Sequence, residues 1–448
     1  MTTKRKVYIR TFGCQMNVYD TGKMHALLEK DGYGHAETME EADLVIVNTC
    51  SIREKPELKV HSFLGEARKL KRQNPGRDMT IAVAGCVAQQ EGRALLDRYA
   101  DVDLVFGPDA VPNIRKLVSI SKQRGQILDT DFLDEADYVF ASELDPNAKG
   151  KVGSFVTIQK GCDNKCTFCI VPATRGKEVS RSSQEILQEV KDLCRTGIKE
   201  ITLIGQNVNS YGLKTTGEKT FAQLLYAVAD VPGVERIRYT TSHPRDMGPD
   251  VIQAYRDLPQ LTSHLHLPVQ SGSSRVLRRM KRFYTRERYL QLVSSLRNAR
   301  PDIALSTDFI VGFPGETQED FEETLSLLEE VRFHSSFSFK YSQRPGTPAL
   351  KLAAKDAVAP EAAGKRLIEL QAMQRAIAQK EHSMLEGTVL DVLVEGPSKH
   401  DEGVICGRSS SFKMVNFPGS IASVGETVPV RITKAFANSL RGEAEPRI

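Results

Sequence analysis

Short apolar runs alternate with amphipathic stretches through the first 120 residues. Val7–Phe12, Leu44–Asn48, Thr80–Ala84 and Val102–Phe106 are runs of mostly apolar residues, as expected of buried strands. Around Asp20–Lys30, Glu57–Arg72 and Gln89–Tyr99 apolar positions recur three and four apart, which predicts helices. Alternating strands and helices predict an α/β domain over residues 1–120, an open parallel sheet with helices on its faces.

Residues 121–147 lack a clear period and are acidic near Asp129–Asp137, which predicts a linker. A second series then follows, with strands at Ser154–Gln159, Glu200–Ile204, Arg236–Thr240, Thr262–Leu267, Ile303–Ile310 and Ser335–Tyr341. Helical patterns separate them, for example Gln184–Arg195 and Thr317–Val331, and a long helix over Glu361–Leu385 closes the series. Six units are too few for a closed eight-stranded barrel and suit a partial (β/α)6 barrel over residues 148–382. Beyond it, Val389–Val394, Gly403–Cys406, Lys413–Asn416 and Thr427–Thr433 are short strands punctuated by Gly and Pro. They predict a small antiparallel β-barrel over residues 383–446.

Composition changes this picture little. Hydrophobic residues make up 40% and charged residues 26%, as in ordinary globular chains. No run approaches the length of a membrane span, and MTTKRKVYIRTFG has no apolar segment behind its basic start. A cytoplasmic protein away from membranes is expected. The net charge of +4 is too small to announce a nucleic-acid binder, so RNA contact would depend on local basic patches.

The 8 cysteines are more informative. In a reducing compartment they are not expected to form a disulfide framework. Cys162, Cys166 and Cys169 form C-x3-C-x2-C directly after a predicted strand. Thiolates at this spacing can converge on three corners of one iron–sulfur cubane, leaving the fourth iron open to a substrate. A zinc site with a distant fourth ligand is the structural alternative, but zinc sites usually pair C-x2-C units and no second pair exists. Cys14, Cys50 and Cys86 each follow a predicted strand of the first domain. They would meet at the carboxyl edge of one parallel sheet, where such sheets bind ligands, and a second three-cysteine cluster is expected there. Three buried structural cysteines are the alternative. Cys194 and Cys406 have no cysteine neighbours in sequence and read as buried packing residues.

The C-x3-C-x2-C segment with Phe168 before its last cysteine resembles the signature of the radical S-adenosylmethionine superfamily. The likeness extends further. Thr11–Asn17, Val47–Arg53 and Ala84–Cys86 resemble the amino-terminal domain of methylthiotransferases. Cys162–Arg175, Thr241–Arg245, His266–Ser273 and Thr307–Thr317 resemble their radical core, and the small barrel resembles a TRAM RNA-binding module. Gln15-Met16-Asn17 and Ser51-Ile52-Arg53 match the branch that acts on prenylated adenosine in tRNA.

The resemblance implies transfer of a methylthio group to C2 of N6-(dimethylallyl)adenosine at position 37, beside the anticodon, of tRNAs reading codons that begin with U. It implies two [4Fe-4S] clusters on the six cysteines, and S-adenosyl-L-methionine both as radical source and as methyl donor. Implied partners are tRNA, an external electron donor and proteins that supply sulfur or iron–sulfur units; a monomer is expected. The same chemistry on threonylcarbamoyl-adenosine in tRNA, or on a ribosomal-protein aspartate, is the nearest rival. A non-enzymatic iron–sulfur RNA-binding protein is a rival of another class.

Within that framework the loop Gly205–Ser210, with Gly205, Gln206 and Asn207, is a candidate grip on the amino-acid end of the cofactor, or else an ordinary Gly/Asn turn. Phe168, Gln270, Ser271 and Asp308 are further cofactor candidates; Asp308 could equally cap a local turn. Gly312–Thr317 lacks the Lys-Ser/Thr of a P-loop and reads as a tight strand-to-helix turn. The run Arg275–Tyr284 interleaves basic and aromatic residues, which suits RNA phosphates and bases. Arg278, Arg279, Lys281 and Arg282 are its candidate RNA contacts, with a solvated helix face as the alternative. Arg68, Lys69, Lys71 and Arg72 form a second basic run. The target adenine would have to leave its stack to react.

Overall fold

A computed structural model describes residues 5–51, 54–134, 136–398, 401 and 403–446. Ile52 and Arg53, two of the three residues of the expected Ser51-Ile52-Arg53 match, lie outside these residues. Two compact units divide the chain: 1–149 with 159–164 and 169–181, and 150–158 with 165–168 and 182–448.

The first unit is built on six parallel strands: β1 (Lys6–Phe12), β2 (Gly34–His35), β3 (Leu44–Thr49), β4 (Thr80–Gly85), β5 (Leu104–Phe106) and β6 (Ile127–Asp129). Their order is β2-β1-β3-β4-β5-β6. Val45 and Val47 of β3 pack into one apolar cluster, Leu44 and Ile46 into the other. Burial on both faces is why these strands are continuous apolar runs. The chain leaves β1 toward β2 on one side and returns to β3 on the other. The β1/β3 boundary is therefore a topological switch point, where a crevice opens at the carboxyl ends.

The sheet is larger than the four strands expected. β2 and β6 are too short to show a period, and β6 lies inside the segment 121–147 read as linker. That segment also carries the end of helix Ile114–Arg124. The helix expected over Gln89–Tyr99 is two, Cys86–Glu91 and Arg93–Arg98, broken at Gly92 with φ +48°. A hairpin of β8 (Gln159–Lys160) and β9 (Val179–Ser180) also belongs to this unit.

The second unit contains β7 (Gly153–Thr157), β10 (Glu200–Ile204), β11 (Arg236–Tyr239), β12 (His264–His266), β13 (Ala304–Val311) and β14 (Ser335–Lys340). They form two parallel three-stranded sheets, β7-β10-β11 and β12-β13-β14, linked by a parallel bridge from Ile237 to Leu261. This is the expected six-stranded partial barrel. Helix Pro360–Ser383 follows.

The carboxyl-terminal strands close a barrel in the order β15 (Val389–Pro397), β16 (Val404–Ser409), β17 (Met414–Pro418), β19 (Leu440–Ala444) and β18 (Thr427–Ala435). Val392, Val394, Ile405, Val415, Phe417, Val430, Ile432 and Leu440 fill it. Two features correct the expectation. A fifth strand, β19, closes the barrel, and its pairing with β17 is parallel, so the barrel is not wholly antiparallel. Arg236 donates to the carbonyls of Arg408 and Asp391, and Arg238 to that of Ser409, fixing the barrel against β11.

Candidate active site

Cys14 caps the helix Gln15–Glu29 after β1, Cys50 follows β3, and Cys86 opens the helix after β4. Because β1, β3 and β4 are adjacent, the three thiols stand side by side at the switch-point edge. Glycines make this approach possible. A Cβ on Gly13 would lie 2.5 Å from that of Cys50, and one on Gly85 would lie 2.4 Å from Asn48 Oδ1. Buried Asn17 and Asn48 brace the floor: Asn17 Nδ2 donates to Asn48 Oδ1 at 3.0 Å, and Cys14 Sγ bonds Asn17 Oδ1 at 3.3 Å.

Electrostatics divide the thiols. Hydrogen bonds from Cys50 lower Cys14 to about 7 and Cys86 to about 6, with Arg175 adding to both effects. Those same bonds, and burial, push Cys50 up. Arg175 is buried and donates to Asp20 Oδ2 at 2.8 Å. Burial raises Asp20 despite this cation. Two thiols drawn toward thiolate beside a buried cation are a donor set suited to an iron–sulfur cluster. Among the described residues no three Cys, His, Asp or Glu side chains surround a single ion-sized centre.

The other cysteine loop begins at Gly161, whose φ is +70° and whose added Cβ would lie 1.9 Å from the Lys177 carbonyl oxygen. Cys162 and Cys169 are half-buried residues of the first unit; Cys166 is a buried residue of the second. Thr167 is held by its N–H to the Met280 carbonyl at 3.0 Å and by its hydroxyl to the Arg279 carbonyl at 3.0 Å. Phe168 packs against Val276, Met280, Phe313 and Ala349.

At the ends of β10 and β11, Asn207 Nδ2 donates to Asp246 Oδ2 at 2.7 Å, and Asn209 pairs with the His243 backbone. Gln206 Oε1, Asn207 Oδ1 and His243 Nε2 are buried without a hydrogen-bond partner. Three such atoms on neighbouring strand ends call for a polar ligand. His243 Nδ1 accepts from the Arg245 N–H, so Nε2 carries the proton of a ring that burial holds near a pKa of about 2. Gly205 is buried in the same loop.

Gln270, at φ +77°, bridges β13, its N–H on the Asp308 carbonyl and its carbonyl on the Ile310 N–H. Ser271 bonds Thr324 and the Ser273 N–H, so its hydroxyl is used within the fold. Asp308 Oδ1 lies 3.5 Å from His266 Nε2, while Ser306 bonds both His266 and His264. This polar row on β12 and β13 was missed from the sequence beyond Asp308; the alternation His264-Leu265-His266 was its visible signal. Gly312–Thr317 is the tight turn expected, with Glu316 accepting from the Gly312 N–H and from Arg366.

The basic run divides. Arg278 and Lys281 are exposed. Arg279 is tied to Asp356 and the Pro314 carbonyl. Arg282 is only 5% exposed and its guanidinium is used internally, so the expectation that it reaches RNA is corrected. In the second run Arg68 and Arg72 pair with Asp101, and Lys71 with Asp103. Cys194 and Cys406 are half-buried rather than fully buried.

Residues 156–328 match the Radical SAM superfamily, residues 6–107 the Uncharacterized protein family UPF0004, and residues 384–444 the TRAM domain. A tRNA-2-methylthio-N(6)-dimethylallyladenosine synthase of Geobacter metallireducens is 48% identical over 445 residues, covering 99% of both chains. The chain belongs to this synthase family. The Roseobacter denitrificans member is 47% identical, over 98% of this chain and 99% of its own. Among solved structures, the radical S-adenosylmethionine methyltransferase TsrM of Kitasatospora setae superposes with a TM-score of 0.58 at 15% identity, covering 80% of this chain and 76% of that one. The cobalamin-dependent radical enzyme OxsB gives 0.56 at 14% identity, covering 83% and 56%. At these identities the likeness is one of fold. Membership brings with it a [4Fe-4S] cluster and S-adenosylmethionine.

Proposed function

We propose that this chain adds a methylthio group to C2 of N6-(dimethylallyl)adenosine at position 37 of tRNAs reading codons that begin with U. The observation that carries it is the gathering of Cys14, Cys50 and Cys86 at a switch-point edge, in a chain matched end to end by synthases of that reaction. The spacing of Cys162, Cys166 and Cys169 supports a radical cluster, and the amino-terminal three support a second, sulfur-supplying one. When bound, the radical cluster supplies an electron and an open iron to S-adenosylmethionine, as attack on an aromatic C–H without an acidic proton requires.

The chain's own residues would bind and orient. Gln206 and Asn207, with unsatisfied buried oxygens, would receive the amino-acid end of the cofactor, and the Asp308–His266 row its polar groups. Neutral His243 offers a buried N–H in the same region. Arg175 would offset the negative charge of the amino-terminal thiolates. The TRAM barrel, held to β11, would bind tRNA together with Arg278 and Lys281. S-adenosylmethionine would serve once as methyl donor and once as radical source, with electrons and sulfur from outside partners. The working form is taken to be a cytoplasmic monomer; no helix among the described residues is long and apolar enough to cross a membrane.

The test combines two measurements. Nucleosides of tRNA from a strain lacking the gene should lose the 2-methylthio form of prenylated adenosine and regain it on complementation. Loss of a different nucleoside would overturn the substrate. Anaerobically reconstituted protein with dithionite and S-adenosylmethionine should release 5′-deoxyadenosine and methionine; iron without 5′-deoxyadenosine would overturn the radical chemistry.

A further inference from the structure

Arg282 lies in the middle of the basic run, yet its neighbours and its own side chain point to different places. Lys281 has φ +53° and Phe283 φ +59°, left-handed values that β-carbon-bearing residues rarely adopt. Between these turns the side chains of Lys281 and Phe283 remain exposed while that of Arg282 is buried. The backbone strain is thus associated with one inward side chain, and a solvated charge would not need it.

The inward guanidinium is held at three points. Nη2 donates to the Pro268 carbonyl at 2.8 Å, Nε to the Tyr284 hydroxyl at 3.1 Å, and Nη1 to Cys166 Sγ at 3.4 Å. Tyr284 is fixed in turn by donating to the Val269 carbonyl at 2.8 Å. The Thr167 bonds to the Arg279 and Met280 carbonyls tie the cysteine loop to this same segment. Among the described residues, the hydrogen-bond partners of the Arg282 guanidinium are a carbonyl, a phenol and a cysteine sulfur, with no carboxylate. A fixed, buried guanidinium held only by these groups costs folding free energy unless negative charge is placed beside it, as it would be on a cluster-bound sulfur.

We propose that Arg282 is a positioning residue of the radical cluster, its guanidinium N–H bonded to the Cys166 sulfur and favouring the reduced state. The inference rests on the radical reading of Cys162, Cys166 and Cys169. A cluster that accepts one electron from a low-potential donor becomes more negative by one charge. A hydrogen bond and a cation at a ligand sulfur, in a poorly solvated position, stabilise the more negative form and raise the potential. Arg282 thereby eases the electron's entry before S-adenosylmethionine is cleaved, without touching the cofactor or the RNA.

The test uses full-length protein with Cys14, Cys50 and Cys86 changed to alanine, so that one cluster is observed. Midpoint potentials are read by electron paramagnetic resonance during dithionite titration for Arg282, R282K and R282Q, with iron content and thermal unfolding alongside. The expected order of potential is Arg282 highest, R282K lower and R282Q lowest, at equal iron content. Equal potentials at equal iron content would overturn the proposal while leaving the radical reading intact. Should R282Q fail to fold or to load iron, R282K against Arg282 decides it: a lower potential supports the proposal, an unchanged or higher one overturns it. If the protein with Arg282 intact folds but neither loads a cluster nor cleaves S-adenosylmethionine, the radical reading itself fails.

Discussion

Arg175 Nη2 lies 2.8 Å from Asp20 Oδ2, and the same buried guanidinium faces Cys86 and Cys14. A residue that closes the radical-core signature is thereby delivered to the sulfur-bearing edge of the amino-terminal sheet. In the cluster-free protein, Arg175→Gln should raise the pH at which Cys86 alkylates, from about 6 toward the ordinary thiol range. Mass spectrometry of iodoacetamide-labelled peptides across pH reads this. Cys50→Ala should raise it further, since the Cys50 hydrogen bond is the larger cause. Asp20→Asn, which strands the cation, should cost about 3 kcal/mol of stability in urea unfolding.

The position of Cys14, Cys50 and Cys86 was legible because each follows a run whose apolar character marks a buried strand, and parallel strands align their carboxyl ends. The Arg175–Asp20 pair was not, since 155 residues separate its members and nothing local marks them as partners. The three-residue β6 was hidden in the same way: Ile127-Leu128-Asp129 is too short to carry a period, and its strand character depends on pairing with β5. The basic run was legible as charge but not as direction. Whether Arg282 points outward is decided by the backbone turns at Lys281 and Phe283, which composition does not encode.

Separate work is expected of the two cysteine sets. Cys162→Ala, Cys166→Ala and Cys169→Ala should each abolish release of 5′-deoxyadenosine. Cys50→Ala should retain that release and abolish methylthio transfer to tRNA. Chromatographic quantitation of both products in one assay checks the division. Retained cleavage in the first group would remove the radical role from that loop.

Gly161 should tolerate no side chain. Its φ of +70° already disfavours one, and an added Cβ would fall 1.9 Å from the Lys177 carbonyl oxygen. Gly161→Ala must therefore displace the backbone that carries Cys162. A loss of 1 kcal/mol or more is expected, roughly the left-handed conformational cost before the clash is added. Iron bound at the radical loop, measured with the amino-terminal cysteines replaced, should fall with it.

A buried lysine gives the carboxyl-terminal barrel a distinct pH response. Lys413 Nζ lies 2.6 Å from His382 Nε2, and burial depresses the lysine to about 8. The unfolded chain then binds more protons than the folded one between pH 8 and the ordinary lysine value of 10.5, so this group makes stability rise with pH across that window. The full swing is about 3 kcal/mol at 1.36 kcal/mol per unit. The difference in urea stability between the native protein and Lys413→Met should change by that order between pH 7.5 and about 10.5, flattening in the variant. An unchanged difference would mean that the lysine titrates normally.

Phe283 is the remaining exposed aromatic of the basic run, 59% accessible, with the Arg245 guanidinium 5.8 Å from its ring centroid and Lys281 two positions before it in sequence. A large ring held outward at φ +59° is costly to keep in water and suited to stacking on an unstacked base. Phe283→Ala should weaken tRNA binding by about 1–3 kcal/mol, the range for one base–aromatic stack. Lys281→Ala should instead lower the salt dependence of binding by about one phosphate contact. Neither variant should alter 5′-deoxyadenosine release without tRNA, because neither side chain reaches Cys166; Arg282, one residue away from each, does. Filter binding across salt concentrations separates the two effects. If Phe283→Ala changed the salt slope and not the affinity at fixed salt, the ring would not be a stacking platform, and the run would act through phosphates alone.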